Sequence, residues 1–469
     1  MCVNAGLPVG DNLSREALSN FPEFAVRNEA WGSFIFVRSL GRYYALDKQM
    51  SNLLLAYRGE GLSQDKDERL DQLYRAVYGN ADACDKSKEA LNRKNIQQVV
   101  MLLEARGVVK DSRFLGKFVD NVVPDILQAE DEENEDAEKR KLVAPLSVNL
   151  QLTRTCRNHC RHCWVLQMPS ADGARELDKK EVKELIERLV ASGVFVINFC
   201  GGFAVGRKDF AELVKYAIDK GMYVNVSVEG AALTKEVIAN LISLEVRNYR
   251  IGLAAGNVTT WDNMRRPNNE KAEKSSSSRD RFVKRVYDFL MRHKQSKHSA
   301  KIAFRVAVVK TNSGEYLNMA QMLRDILSEI KLKIGDGFKK GDVVLHLDPA
   351  WAVSPSNDGN LFLNENEIKD LIAWVNNNNA DGQYPFIIET RAKEKSLAKR
   401  HTLDGFEEPG GFRSCFISWN GGMYPNAEWS LTRKLDKDND IRQHSIGDIW
   451  LNNDFSNFRQ HFDRMQLGL

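Results

Sequence analysis

Two hydrophobic rhythms alternate between Leu146 and residue 349. LSVNLQL, FVINFC, MYVNVSV, YRIGLAA, KIAFRVAVV and DVVLHLD are short β-branched and aromatic runs that predict strands. LDKKEVKELIERLVASGV, DFAELVKYAIDKG and TKEVIANLISLEV instead repeat apolar residues at helical spacing and predict amphipathic helices. This alternation predicts parallel strands under covering helices, an α/β fold built either as an open sheet or as a (β/α) barrel. Ligands in such folds sit at the carboxyl ends of the strands. A polar insertion, RRPNNEKAEKSSSSRDR, precedes KIAFRVAVV.

The flanks follow other patterns. SFIFVRSLGRYYALDKQ reads as a hairpin turning at Leu40-Gly41, after which Asp47 can cap a helix through SNLLLAY. After a polar stretch, NIQQVVMLLEARGVV places Ile96, Val99, Val100 and Leu103 on one helical face and ends at Gly107, completing a small winged-helix-like α+β unit within residues 1–125. AEDEENEDAEKRK, inside an acidic linker at 126–144, reads as a solvated linker or surface helix, with a lid over a cationic substrate as the functional alternative. The strand and helix alternation then fills 145–349, and 350–469, richer in Gly, Asn and Trp, reads as a small α+β domain with strands in FISWNGGMYP and a helix near Ile449.

Composition narrows the classes. A chain of 469 residues, 43% hydrophobic, can bury the cores of two or three domains, and a net charge of +3 offers no chain-wide basic field for nucleic acid or an anionic membrane, although a local groove stays open. MCVNAGLPVGDNLSREALSN has no charged start followed by an apolar run, and no stretch reaches the roughly 20 apolar residues of a membrane helix, so a cytoplasmic address is expected. Of seven cysteines, Cys2, Cys84, Cys200 and Cys415 are scattered and three are clustered, which reads as a metal site and not as a disulfide framework.

The cluster is RTCRNHCRHCW, with Cys156, Cys160 and Cys163 in a CxxxCxxC spacing directly after the first strand of the alternating region. Three thiolates can hold three irons of a cubane and leave the fourth open. A zinc site with His159 or His162 as fourth ligand is the alternative, although all ligands within eight residues make poor tetrahedral geometry. The spacing and its context resemble the radical S-adenosylmethionine superfamily. That resemblance implies a partial (β/α)6 barrel, one [4Fe-4S] cluster, and S-adenosylmethionine cleaved by an external electron donor to a 5′-deoxyadenosyl radical that abstracts hydrogen. It also implies that His162 lies against the adenine. The family's Gly-Gly-Glu is present here as Gly201, Gly202 and Phe203, so the carboxylate that meets the cofactor's ammonium is missing. Glu229 is the candidate substitute, with a solvated turn acid as its ordinary reading. Arg250 and Arg305 are candidates for the cofactor's carboxylate, or members of structural ion pairs.

GSFIFVRSLGRYYALDKQMSNLLLAYRGEG with EARGVV resembles the PqqD-like peptide-recognition domain, which implies capture of a ribosomal precursor's leader by strand addition. A DNA-binding winged helix shares the geometry, but NIQQVVMLLEAR lacks the basic residues a recognition helix needs. GFRSCFISWNGGMYPNAEWS and HSIGDIW resemble a SPASM or twitch region that keeps Cys415 and Gly421 but has Asn426 where the next cysteine belongs, so this region assembles no auxiliary cluster. Without that second redox centre, the resemblance to proteusin-type peptide epimerases implies redox-neutral L-to-D inversion at Cα, with Cys415 returning hydrogen and Cys200 as rival donor. Crosslinking or backbone excision in a precursor peptide, and a catalytically silent peptide-binding partner, are the alternatives; neither nucleic acid nor membrane is expected as a partner.

Overall fold

The computed structural model describes residues 24–29, 32–37, 42–47, 65–78 and 93, and residues 142–467 apart from 157, 159, 161, 164, 166–173, 245, 266–277, 297–299, 351–360, 381–382, 391, 393–409, 432–434 and 436. The chain divides into two compact units, Met1–Leu142 and Val143–Leu469.

The first unit contains an antiparallel sheet in the order β1 (Phe24–Glu29), β2 (Gly32–Val37), β3 (Arg42–Asp47). The β2 and β3 pairing is the expected hairpin; β1 is an addition to it. FAVRNE hides its strand character because Arg27 and Glu29 fall on one face, yet they pair at 2.7 Å with buried side chains, each offsetting the other's charge. The stretch read only as polar forms α1 (Lys66–Tyr78). There Leu70, Leu73, Tyr74 and Val77 recur at helical spacing, Leu73 and Tyr74 are buried, and Asp65 Oδ1 accepts from the N–H groups of Asp67 and Glu68 at 3.0 Å. The helices expected through SNLLLAY and NIQQVVMLLEAR, the charged run at 129–141, Cys2 and Cys84 lie outside the described residues.

The second unit is built on a nine-stranded sheet. β4 (Ser147–Gln151), β5 (Val196–Cys200), β6 (Tyr223–Glu229), β7 (Asn248–Gly252), β8 (Lys301–Val308), β9 (Val343–Pro349) and β10 (Ile387–Glu389) run parallel, each beside the next. On the other side of β4, β11 (Ser414–Ile417) pairs in parallel and β12 (Met423–Tyr424) closes antiparallel. Residues beyond 350 thus contribute β10 to one edge and β11 and β12 to the other.

The helices are α2 (Lys179–Ala191), α3 (Phe210–Asp219), α4 (Lys235–Ser243), α5 (Val258–Met264), α6 (Ser278–Gln295), α7 (Tyr316–Ile334), α8 (Glu365–Ala380), α9 (Ala427–Leu431), α10 (Ile446–Trp450) and α11 (Asn453–Leu467). The first three match the expected amphipathic segments, whereas α5 to α8 were not anticipated. α6 starts inside the polar insertion, because Phe282, Val286, Phe289 and Leu290 give the serine-rich end a buried stripe to follow.

Side chains alternate between the two sides of each strand. One side of the sheet is apolar: Val148, Ile197, Phe199, Val226, Ile251 and Phe304 have no exposed surface. Helices cover it, as the edge-on packing of Phe199 with Phe210 of α3 (6.4 Å) and of Tyr249 with Phe289 of α6 (5.1 Å) records. The C-terminal segment is tied to α2. Glu181, in the capping box with Asp178, also accepts from Arg442 Nε at 2.7 Å, and Arg188 donates to the carbonyls of Ile441 and His444. Ile197→Ala, which opens a cavity in the middle of the covered side, is expected to cost about 3 kcal/mol in chemical denaturation.

Candidate functional site

The other side of the sheet is polar and partly open. Asn149, Asn198, Asn225 and Asn248 are successive register partners across β4, β5, β6 and β7. Asn198 Nδ2 donates to Asn149 Oδ1 at 3.0 Å, and Asn225 Nδ2 donates to Asn198 Oδ1. Two residues further along the strands, about 7 Å nearer their carboxyl ends, come Gln151, Cys200, Ser227 and Arg250 on the same side. Glu229 ends this row system on β6, in register with Gly252, which in turn pairs with Arg305.

Beyond Gln151 the chain enters the cysteine loop, and the sheet's hydrogen bonding follows it. Leu152 N donates to Cys200 O at 3.0 Å, Gly202 N to Thr153 O at 2.8 Å and Phe203 N to Thr155 O at 2.7 Å. Close approach explains the glycines. Gly201 has φ 113°, and a Cβ on it would fall 2.7 Å from Thr153 O; a Cβ on Gly202 would fall 2.3 Å from Thr155 O. The backbone that approaches these glycines is therefore the segment leading into Cys156. Glu176 braces it from the side, accepting from Thr153 Oγ1 at 2.6 Å and from Arg154 N at 3.1 Å. Arg207, held by Asp209 at 2.7 Å, donates to Leu152 O at 2.8 Å and Leu177 O at 3.0 Å. Sequence reading missed this brace, whose four polar members lie scattered from Thr153 to Asp209.

Within the loop, Cys163 N donates to Cys160 O at 3.0 Å. Burial pushes the Cys160 thiol up to about 12; Arg265 works against that shift, while Cys163, Cys156 and Glu229 add to it. These groups therefore share one electrostatic neighbourhood. Glu229 is ion-paired with Arg265, whose Nη2 also donates to Gly252 O at 3.0 Å and whose guanidinium lies 5.2 Å from the Trp261 ring. Arg265 opens the stretch read as a polar insertion, and its one legible signal was that a half-buried strand-end acid such as Glu229 calls for a cation. His162 is held down at about 4 by burial and then by Arg265, so its imidazole is neutral at ordinary pH. The Phe203 ring lies over Gly206, where a Cβ would collide with it.

The remaining candidates separate. Arg305 pairs with Asp348 at 2.7 Å. Cys200 lies on the polar side; burial pushes its thiol up to about 12, against the pull of Arg250. Cys415 is the register partner of Val148, which places it on the apolar side, and burial raises its thiol too. The structure thus brings the three cysteines, His162, Glu229 and Arg265 together, puts Cys200 on the same side of the sheet, and does not bring Cys415 to them. His159 lies outside the described residues.

Three thiols in this spacing could hold three irons of a cubane and leave the fourth open. Among the described residues no group of three or more His, Cys, Asp or Glu is placed to hold a metal ion at one common point. Thiolates that each bind a different iron need no such common point. Residues 150–291 match the model of the Radical SAM superfamily. A mycofactocin maturase, MftC of Mycolicibacterium smegmatis, is 34% identical over 127 residues, 27% of this chain and 32% of that protein, so the match spans about a third of that curated relative. Fe-coproporphyrin III synthase of Methanosarcina barkeri is 25% identical over 313 residues, covering 64% of this chain and 72% of that one. In fold, the chain is similar to Streptococcus suis SuiB, in a crystal structure bound to its precursor peptide SuiA, with a TM-score of 0.60 at 12% identity over 94% of this chain and 90% of that one. Among the described residues no helix is long and apolar enough to cross a membrane.

Gly202→Ala should retain the chain's circular dichroism yet bind less than half the wild-type iron after anaerobic reconstitution, because the added methyl displaces the backbone that feeds Cys156. Residues 150–291 are thus similar to the Radical SAM superfamily, which uses a [4Fe-4S] cluster with S-adenosylmethionine.

Proposed function

We propose that this chain modifies a ribosomally made precursor peptide by hydrogen abstraction, with L-to-D inversion at Cα as the reaction. The observation that carries the reading is one polar sheet side that holds the three-cysteine loop, the Glu229 and Arg265 pair and, among the described residues, one further thiol, Cys200. The fold likeness to SuiB over 94% of the chain supports a peptide substrate, since that structure is bound to a precursor peptide. The first unit offers a complementary feature. Among the described residues, β1 and β3 each pair on one side, leaving sheet edges to which a leader can add a strand.

When bound by Cys156, Cys160 and Cys163, the cluster and S-adenosylmethionine supply the radical that takes a Cα hydrogen. Return of hydrogen to the opposite face is the work of the protein. The thiol of Cys200 keeps its proton at neutral pH and lies on the polar side, so we assign the return to it and a packing role to Cys415. The Cys200 S–H bond breaks, a Cα–H bond forms, and the sulfur radical returns to thiol with one electron from an external donor and one proton from water. Glu229, paired with Arg265, and Arg305, paired with Asp348, order the site.

Turnover with the precursor in deuterated water should place one deuterium on each inverted Cα. A product two mass units lighter without solvent label would instead establish crosslinking. Cys200→Ala is expected to form 5′-deoxyadenosine at wild-type rates without inverting the peptide, while Cys415→Ala inverts normally; the reverse pattern moves the donor to Cys415. A second reading, tetrapyrrole modification, has the 313-residue similarity to Fe-coproporphyrin III synthase behind it. Formation of Fe-coproporphyrin III from a precursor iron tetrapyrrole, with the peptide left unchanged, selects it.

A further inference from the structure

The polar side holds buried hydrogen-bonding atoms that the protein leaves unused. Gln151 has no exposed surface, and both atoms of its carboxamide, Oε1 and Nε2, are buried without a partner. The asparagine row ends the same way. Its amides hand hydrogen bonds from Asn225 to Asn198 to Asn149, and the Oδ1 atoms of Asn225 and Asn248 are left buried and unpartnered. A ladder with a purely structural role would satisfy its last acceptors, because an unmade hydrogen bond in a buried place costs the full desolvation of the group.

These four atoms form a pattern. Gln151 stands about 7 Å along β4 from Asn149 on the same side, and its Cγ is the atom that a Cβ at Gly201 would meet, at 2.7 Å. Its carboxamide offers one donor and one acceptor in a plane. In a hydrogen-bonded antiparallel pair, a residue presents its own N–H and C=O to the same side. One residue of an extended peptide therefore matches the Gln151 amide with both groups, and the two asparagine oxygens accept from further N–H donors. The carboxamides are neutral, the nearby Glu229 and Arg305 are each matched by a partner, and Arg250 stands in the same row as Gln151 and Cys200.

We infer that Gln151, Asn225 and Asn248 form a floor that reads the main chain of the substrate peptide, with Gln151 gripping the N–H and C=O of one residue beside Cys200. The inference rests on the peptide reading above for its substrate class. Main-chain reading fixes where the peptide lies while leaving side-chain identity to other contacts. Adenine also presents an acceptor beside a donor, so the test carries an adenosine arm.

The full-length chain with reconstituted cluster is examined by saturation-transfer NMR with N-acetylalanine N-methylamide, a single residue flanked by two peptide groups, and separately with adenosine. Wild type should give a signal from the capped residue that falls severalfold in Gln151→Met. That variant should melt no lower than wild type, because it replaces an unpartnered amide by an apolar chain of similar size. With the precursor peptide, KM should rise about tenfold at unchanged kcat, the loss expected for roughly one net hydrogen bond. Equal capped-residue signals in both proteins, a lower melting temperature of Gln151→Met, or a Gln151-dependent signal from adenosine alone would each overturn the floor. The binding and melting measurements need no turnover, so a wild-type enzyme that ignores peptides and converts a tetrapyrrole removes the functional reading without deciding these.

Discussion

The hydrogen bonds between residues 200–203 and residues 152–155 are the constraint on which the site depends. They extend the pairing of β4 with β5 past both strand ends and so carry the order of a nine-stranded sheet into a loop that must present three sulfurs. Strand pairing is stiff, whereas a loop of polar residues alone is not. Here glycine at 201 and 202 is the condition for stiffness, since any side chain at either position would wedge the two segments apart. The Glu176 and Arg207 contacts then close the flank that the sheet leaves open.

Much of this was legible because the two rhythms are clean. In β5 and β6 apolar residues alternate with Asn198, Asn225 and Ser227, so both the strands and their two unlike sides can be read from the chain. The asparagine row had a signal as well. SVN, VIN and YVN open β4, β5 and β6 with asparagine at the same step, and aligning them gives the register the structure adopts. Pairings between distant segments were not legible. Glu229 with Arg265 and β4 with β11 are contacts whose partners no local pattern specifies, and Arg27 with Glu29 hid a strand by placing paired charges where apolar residues would announce it.

Register also separated two cysteines that sequence could not rank. Cys200 and Cys415 are both scattered thiols at strand positions, but a one-residue difference in phase sends a side chain to opposite sides of a sheet. Cys200 shares a side with Gln151, its register partner, and Cys415 with Val148. Chemistry that needs a thiol near the cysteine loop therefore has different access to each, although the residue type is the same.

The parallel pairing of β11 with β4 joins Ser414 to Ser147, so the strand that delivers the cysteine loop gains its second neighbour from a segment far downstream. Contacts of such long sequence separation form late, because loop closure must be paid for before they reward it. During synthesis, β4 is a bare sheet edge on that side until residue 417 has emerged, and its two anchors on α2, through Glu181 and Arg188, arrive later still. The strand that leads into the cysteine loop is thereby flanked on both sides only once residues far downstream are in place.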